Sequence, residues 1–182
     1  GFIPNKNYSL YINEESQDEI TITEYGQYAL IDQVAGDVKA SLEKHFPLDR
    51  AAQIFSCAAI MVANGFTHID QIQPYYEQSW LAQQNKSLNI HMGKTSVNNM
   101  LDDLGRRTTR VNAYEQEIIN TSSLIAIDGH AIRSSSEEND LSESGYKYNK
   151  LGDDQVNLLM GYDLTSKVPV FSRMYRGSCN DK

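Results

Sequence analysis

The fold of this chain is decided by residues 122–132, whose sequence is SSLIAIDGHAI. β-Branched and aliphatic side chains dominate this stretch, and they favour a β-strand. Because side chains alternate between the two faces of a strand, Leu124, Asp128 and His130 should share one face. Asp128 is therefore an acidic residue inside an aliphatic strand, and burying its carboxylate is costly unless it is paired or binds a cation.

Two interpretations of Asp128 are open from these residues alone. In the first, Asp128 ends the strand and Gly129 begins a turn, because Asp and Gly are both common turn residues. In the second, the strand continues and holds the carboxylate for a functional purpose. The choice between them depends on the sequence that follows.

Two further strands are predicted downstream. Residues 155–163 (QVNLLMGYD) form an almost continuous apolar run bounded by turn residues, and residues 168–175 have similar strand character. Only residues 164–167 separate them, so the two runs should pair as an antiparallel hairpin. Together with residues 122–132 they predict three antiparallel strands in sequence.

Residues 1–121 have a different character. Residues 1–20 are polar and aromatic with an acidic run, and we interpret them as a loose leader. Beyond them, apolar side chains recur at three- and four-residue steps, which predicts a bundle of about five helices. The predicted helices are one with a stripe from Ile31 to Leu42, a central apolar one at 51–62, and shorter ones at 74–83, 95–104 and 111–119. The expected fold class is α+β, with a helical region at 1–121 and a sheet region at 122–182.

Composition limits the possible functions. The chain has 182 residues and a formal net charge of −8, which is the wrong sign for a protein that holds DNA mainly by neutralising phosphates. Its two cysteines are far apart, and its histidines share no ligand spacing, which argues against a disulfide framework and a zinc site. No apolar run approaches the roughly 18 residues that a membrane span needs.

Several polar motifs follow Asp128 in order along the chain. They are Gly145-Tyr146-Lys147, then Gln155-Val156-Asn157, then the proline-led strand at Val168-Pro169-Val170, and finally Arg176 to Asp181 (RGSCND). This ordered set resembles the bacterial insertion-sequence DDE transposases, whose catalytic domain has an RNase H-like fold. The resemblance covers residues 122–182. For residues 1–121 it implies only that a helical region precedes the catalytic domain.

The resemblance implies a role for Asp128 as the first catalytic carboxylate and a ligand of Mg²⁺. Cleavage and joining of phosphodiesters is served by two divalent cations about 3.5–4 Å apart, held by carboxylates from separate segments. The family's second Asp and its Glu lie beyond the helix that Asp181 would start, and the sequence ends at Lys182. The expectation is therefore an RNase H-like domain cut off after its third strand, which would be inactive by itself.

Other positions carry weaker expectations. The family often has Thr or Ser where this chain has His130, and we expect that imidazole to be a partly buried polar residue. Lys147 and Lys150, with tyrosines interleaved, are candidate contacts to a DNA backbone, as is Arg176. The competing interpretations are a solvated loop for the lysines and a solubilising edge-strand charge for Arg176.

The function expected from the resemblance is DNA cleavage and strand transfer at insertion-sequence ends, carried out by the complete parent enzyme. The implied partners are the transposon-end DNA and another copy of the chain, in a bacterial cytoplasm and without a membrane. Two alternatives remain open. One is a non-catalytic DNA-binding or regulatory remnant that pairs with full-length transposase, and the other is a structural or interaction domain with a fortuitous Asp-Gly strand.

Overall fold

The computed structural model describes residues 23–179. The predicted leader at 1–20 and the predicted helix start at Asp181 lie outside this range. Within it, the α+β class is confirmed: seven α-helices precede an antiparallel sheet of four strands. The helices are α1 (Gly26–Val34), α2 (Gly36–His45), α3 (Leu48–Ala63), α4 (Ile69–Gln78), α5 (Trp80–Gln84), α6 (Lys94–Arg106) and α7 (Thr108–Thr121).

The central apolar helix is confirmed as α3, which buries Phe55 and Ile60 among eight buried residues. The single stripe predicted from Ile31 to Leu42 is wrong, because the helix is interrupted at Ala35, just before Gly36, and glycine is a poor helix former. Val34, which belonged to that stripe, is 77% exposed. Tyr28 anchors α1 in its place and is fully buried.

The prediction of a helix at 74–83 is also wrong in its bounds. The helix α4 begins five residues before Pro74, where Nδ1 of His68 accepts a hydrogen bond from the N–H of Asp70 at 3.4 Å. It ends at Gln78, and α5 follows after the buried Ser79. The helix predicted at 95–104 extends through Gly105 to Arg106, so this glycine lies inside α6. The predicted number of five helices was therefore too low for the described residues.

The described residues form two compact units, one made of 23–39 with 48–99 and the other of 40–47 with 100–179. In the first unit, α1 and α4 pack against α3, and α5 packs against α1 and α4. The fully buried side chains of Tyr28, Ile60, Ile72 and Leu81 form the core of this unit. Burial of large apolar side chains supplies most of the free energy that holds such a bundle together. In the second unit, α7 packs on the sheet.

The sheet consists of β1 (Ile125–Ser134), β2 (Glu143–Ser144), β3 (Asp154–Asp163) and β4 (Val168–Arg176). The hairpin of β3 and β4 is confirmed, and β1 pairs antiparallel along the whole length of β3. Because β1 occupies one edge of β3, both β2 and β4 pair with its other edge. The short β2 was not predicted, because its two residues lie in a polar stretch and pair only through β3.

Among the helices in the described range, none combines the length and the apolar character needed to cross a membrane.

Candidate functional site

Asp128 lies in the middle of β1, where the register places it opposite Met160 of β3. The strand continues through Gly129, which pairs with Leu159, and ends five residues later at Ser134. The interpretation of Asp128-Gly129 as the end of a strand and the start of a turn is therefore wrong. The sheet positions this carboxylate as part of a continuous strand.

The side chain of Asp128 is exposed and makes no hydrogen bond or ion pair with any described residue. Directly across the sheet, its row continues with Met160 and then Ser172, so the neighbouring strands supply no second carboxylate. Residues 23–179 also contain no group of three or more His, Cys, Asp or Glu side chains that could hold a metal ion. Asp128 is available to a ligand, but these residues do not complete a metal site around it.

His130 is exposed, which corrects the expectation that its imidazole would be partly buried. Ala126 and Asp128, which share this face of β1, are exposed as well. Burial could not be judged from residues 122–132 alone, because it depends on what packs against the strand.

The Gln155 and Asn157 side chains form a buried polar cluster at the start of β3. Nε2 of Gln155 donates to Oδ1 of Asn157 at 2.7 Å, and Nδ2 of Asn157 donates to the carbonyl of Cys179 at 2.8 Å. Oε1 of Gln155 accepts from the backbone N–H of Lys147 at 3.1 Å and of Tyr148 at 3.3 Å. Satisfied buried amides of this kind fix the backbone segments to which they bind.

Two glycines permit the close approach that this cluster requires. A Cβ on Gly145 would lie 2.3 Å from the carbonyl oxygen of Gly177, and one on Gly177 would lie 2.0 Å from the carbonyl oxygen of Gln155. Both glycines are buried. The spaced motifs Gly145-Tyr146-Lys147, Gln155-Val156-Asn157 and Arg176-Gly177 are thus brought together in space, as parts of one polar cluster.

The predicted DNA contacts differ in their surroundings. Lys147 is exposed, and its Nζ lies 5.7 Å from the centroid of the Tyr148 ring. Arg176 ends β4 and is already paired, because its Nη1 lies 2.8 Å from Oε1 of Glu143. The backbone of Lys150 belongs to a short 3-10 turn, Asn149–Leu151, and its side chain lies outside the described part.

Glu143 holds the end of the sheet together. Its carboxylate pairs with the guanidinium of Arg176 and also accepts a hydrogen bond from the hydroxyl of Ser178. The hydrogen bond from Ser178 is the main cause that lowers the pKa of Glu143 below its ordinary value, and Arg176 contributes further. The sequence around Glu143 is polar and gives no sign of these partners. They come from β4 and the turn beyond it, and only the folded sheet brings them near.

Asp163 has the turn role predicted for it. Its Oδ1 accepts from the N–H of Thr165 at 2.9 Å, and its Oδ2 accepts from the hydroxyl of Ser166 at 2.8 Å. These hydrogen bonds, with the one from Thr165 the strongest, lower the pKa of the Asp163 carboxyl. The residue is buried at the start of the hairpin turn, so its carboxylate stabilises the turn rather than serving chemistry.

The contact of Glu115 with β4 was not predicted from the sequence. This carboxylate is 8% exposed, and it contacts the backbone of Ser172 and the guanidinium of Arg173. A buried acid on α7 gives no local signal of its partner, since the partner lies 57 residues away along the chain.

Comparison with known proteins identifies no relative: no family model, no curated protein and no solved structure matches this chain.

Proposed function

We propose that this chain is part of a DDE transposase, and that Asp128 is the first of the carboxylates with which the parent enzyme binds Mg²⁺. The observation that carries the proposal is the placement of Asp128 in the middle of β1, exposed and without a partner among residues 23–179. A carboxylate kept free of partners on a regular strand is suited to bind a hard cation.

The order of the strands supports the same proposal. In sequence, β1 is followed by the hairpin of β3 and β4, and the sheet has β3 between them. The resemblance implies such an antiparallel start for an RNase H-like domain, with the first Asp on the first strand. The polar cluster of Gln155 and Asn157 also gives a structural reason for the spaced motifs, because each motif supplies a group that the others contact.

The division of chemical tasks follows from the two-metal reaction. Carboxylates of the parent enzyme would hold the Mg²⁺ ions, which would supply activation of the attacking water or 3′-hydroxyl and stabilisation of the leaving oxygen. Asp128 would supply one such carboxylate on a rigid strand. Further acids would have to come from other segments, since those of residues 23–179 do not assemble around it. We therefore propose that this chain by itself does not cleave DNA.

A cleavage assay tests this part of the proposal. The chain is incubated with Mg²⁺ or Mn²⁺ and duplex DNA carrying terminal inverted repeats from the same genome. We expect no cleavage by the isolated chain. Robust cleavage that survives Asp128→Asn would refute both the assigned role and the proposal that the chain is an incomplete enzyme.

The codons that follow residue 182 provide the second test. The proposal expects them to encode another strand that carries an Asp and a later helix that carries a Glu. In the longer protein, Asp128→Asn should abolish metal-dependent cleavage, whereas Glu137→Gln, which removes an exposed acid from the loop after β1, should leave it unchanged. Finding neither acid downstream would contradict the proposal. A bacterial cytoplasmic location is part of the same proposal.

The alternative function is a non-catalytic DNA-binding remnant that pairs with full-length transposase. The exposed Lys147 beside the Tyr148 ring favours it, since a cation and an aromatic ring suit a nucleic acid backbone and base. Retention of end DNA that weakens with added salt, and weakens further in Lys147→Ala, would support this function. Lys86→Ala is the matched control, because it removes one exposed positive charge elsewhere.

A further inference from the structure

A small polar cavity lies in the first unit, between the start of α3, the start of α6 and the loop at 89–93 that leads into α6. Its volume is about 270 Å³. Cavities that hold drug-sized ligands measure about 300–1,000 Å³, so this one suits a smaller molecule. Side chains of all three segments line it, among them Asp49, Arg50, Asn89, Ser96 and Asn99. Because these side chains are polar or charged, the ligand should be polar as well.

The buried side chain of Gln53 holds the walls of this cavity in place. Its Nε2 donates to the carbonyl of His91 at 2.9 Å and to Oγ of Ser96 at 3.1 Å, and its Oε1 accepts from Nη1 of Arg50 at 2.8 Å. The side-chain amide of Gln53 thereby joins α3, the loop and α6. An amide is costly to bury, and these hydrogen bonds offset the cost. Gln53 therefore fixes the groups that line the cavity before a ligand binds.

Arg50 and Ser96 retain hydrogen-bond donors for a ligand. Arg50 donates from Nη1 to Gln53 and forms no ion pair with any residue of 23–179. A guanidinium carries five N–H groups and binds a carboxylate through two parallel ones. Oγ of Ser96 accepts its hydrogen bond from Gln53, so the O–H of the serine can donate elsewhere. Together the two side chains are suited to bind a carboxylate.

Asp49 brings the opposite charge to the same cavity. Although it precedes Arg50 directly in the chain, its carboxylate forms no ion pair with Arg50 or with any other described residue. A ligand with only a carboxylate would be repelled by Asp49, and a ligand with only an ammonium group would be repelled by Arg50. A molecule that carries both groups can pair with both side chains.

We propose that this cavity binds a free α-amino acid, whose carboxylate pairs with Arg50 and Ser96 and whose ammonium group pairs with Asp49. An α-amino acid carries both charges on one carbon atom, as a small cavity lined by one cation and one anion requires. The volume of the cavity favours a small side chain. The site lies entirely within residues 49–99, uses neither Asp128 nor the sheet, and is independent of the proposed function.

Titration of the full chain with glycine, L-alanine and L-serine tests the proposal. Calorimetry and chemical-shift titration, which both detect millimolar binding, should show saturable binding. Propionate lacks the ammonium group of L-alanine, and ethylamine lacks its carboxylate. Each of the two should bind about tenfold more weakly than L-alanine or worse, because it leaves one charge of the cavity unpaired. The proposal fails if none of the three amino acids binds at millimolar concentration, or if propionate binds as tightly as L-alanine.

Substitutions of the two charged residues separate their roles. Asp49→Asn should weaken the binding of L-alanine by about tenfold without weakening that of propionate, and Arg50→Gln should do the same without weakening that of ethylamine. Damage to the fold would weaken all ligands alike. The matched controls are Asp37→Asn, which removes an acid from the first turn of α2, and Arg110→Gln, which removes an exposed arginine. Both controls should bind L-alanine like the wild type.

The location of the site has a readout that needs no substitution. In the chemical-shift titration of the wild type, the backbone amides of Arg50, Ser96 and the loop at 89–93 should shift as L-alanine binds. Shifts confined to residues outside 49–99 would place the ligand on another surface and overturn the proposal. Binding of L-alanine that survives both Asp49→Asn and Arg50→Gln would overturn it as well.

Discussion

Glu115 on α7 accepts a hydrogen bond from the backbone N–H of Ser172 on β4 at 3.3 Å, and its Oε2 lies 2.5 Å from Nη1 of Arg173. The N–H of Ser172 is thereby bonded to α7 rather than to β3. Because α7 packs on β4, a helix covers this edge of the sheet, while no strand of residues 23–179 pairs with the outer edge of β1. Within these residues, the two edges of the sheet are therefore covered differently.

Glu115→Ala should destabilise the chain. The change leaves the N–H of Ser172 without its acceptor and the guanidinium of Arg173 without its counter-ion, and a loss of this kind costs about 1–3 kcal/mol. Urea denaturation followed by circular dichroism measures the change in the free energy of unfolding. Glu115→Gln keeps an acceptor for Ser172 and removes only the charge, so it should cost less than Glu115→Ala. Equal stability of Glu115→Ala and the wild type would show that the contact contributes nothing.

Gly177→Ala should be among the most destabilising single methyl additions in the second unit. The new Cβ would meet backbone atoms at 2.0 Å from Gln155 and 2.5 Å from Glu143, and the backbone has little room to move aside. We expect a cost of about 1–3 kcal/mol or more, as for other overpacked sites. Gly105→Ala is the matched control, because nothing lies within 4 Å of its Cβ and it is inside a helix. That change should stabilise the chain by roughly 0.5–1 kcal/mol, since alanine is the better helix former.

Asp163 should make stability depend on acid pH. Hydrogen bonds from Thr165 and Ser166 hold the pKa of its carboxyl below the ordinary value of 3.8. A lowered folded-state pKa means that the stabilisation is fully present above the unfolded-state pKa and is lost as pH falls through the folded-state pKa.

Asp163→Asn removes the charge and tests this dependence. The variant should be less stable than the wild type at neutral pH, and the difference should shrink as pH falls below about 4. Urea denaturation at a series of pH values compares the two proteins. A difference that stays constant down to the lowest pH would contradict the assigned cause.

Asp128→Asn should leave the stability of the monomer almost unchanged, within about 0.5 kcal/mol, because the carboxylate is exposed and has no partner among the described residues. Thermal and urea denaturation in dilute solution provide the measurement. A large loss of stability would mean that Asp128 serves the fold, and it would weaken the case for a functional role.

The sequence was most informative where a local pattern is repeated often enough to identify an element. The apolar run of α3 and the hairpin of β3 and β4 were predicted because their signals lie within one stretch of chain. The break at Ala35 and the position of Pro74 inside α4 were predicted wrongly. In each case the tertiary environment outweighed a weak local preference.

In the candidate site, too, the sequence shows the local features and only the structure shows the contacts. The motif residues Gln155 and Asn157 were noticed because of their spacing, but spacing does not show that their side chains hold Gly145 and Gly177 in contact. The contact between the two glycines is seen only in the folded structure. They lie at different strand ends and meet only when β3 is paired on one edge with both β2 and β4.

By itself, the sequence determined that an acidic residue belongs to or ends a strand, that a helical region precedes the sheet, and that the net charge is −8. These properties are local or additive, so they can be read without knowledge of contacts. Only the tertiary structure decided that β1 continues past Gly129, that Asp128 is exposed, and that α7 covers β4. Strand pairing and burial join residues distant in the chain, so the same local sequence is compatible with either outcome until the fold is formed.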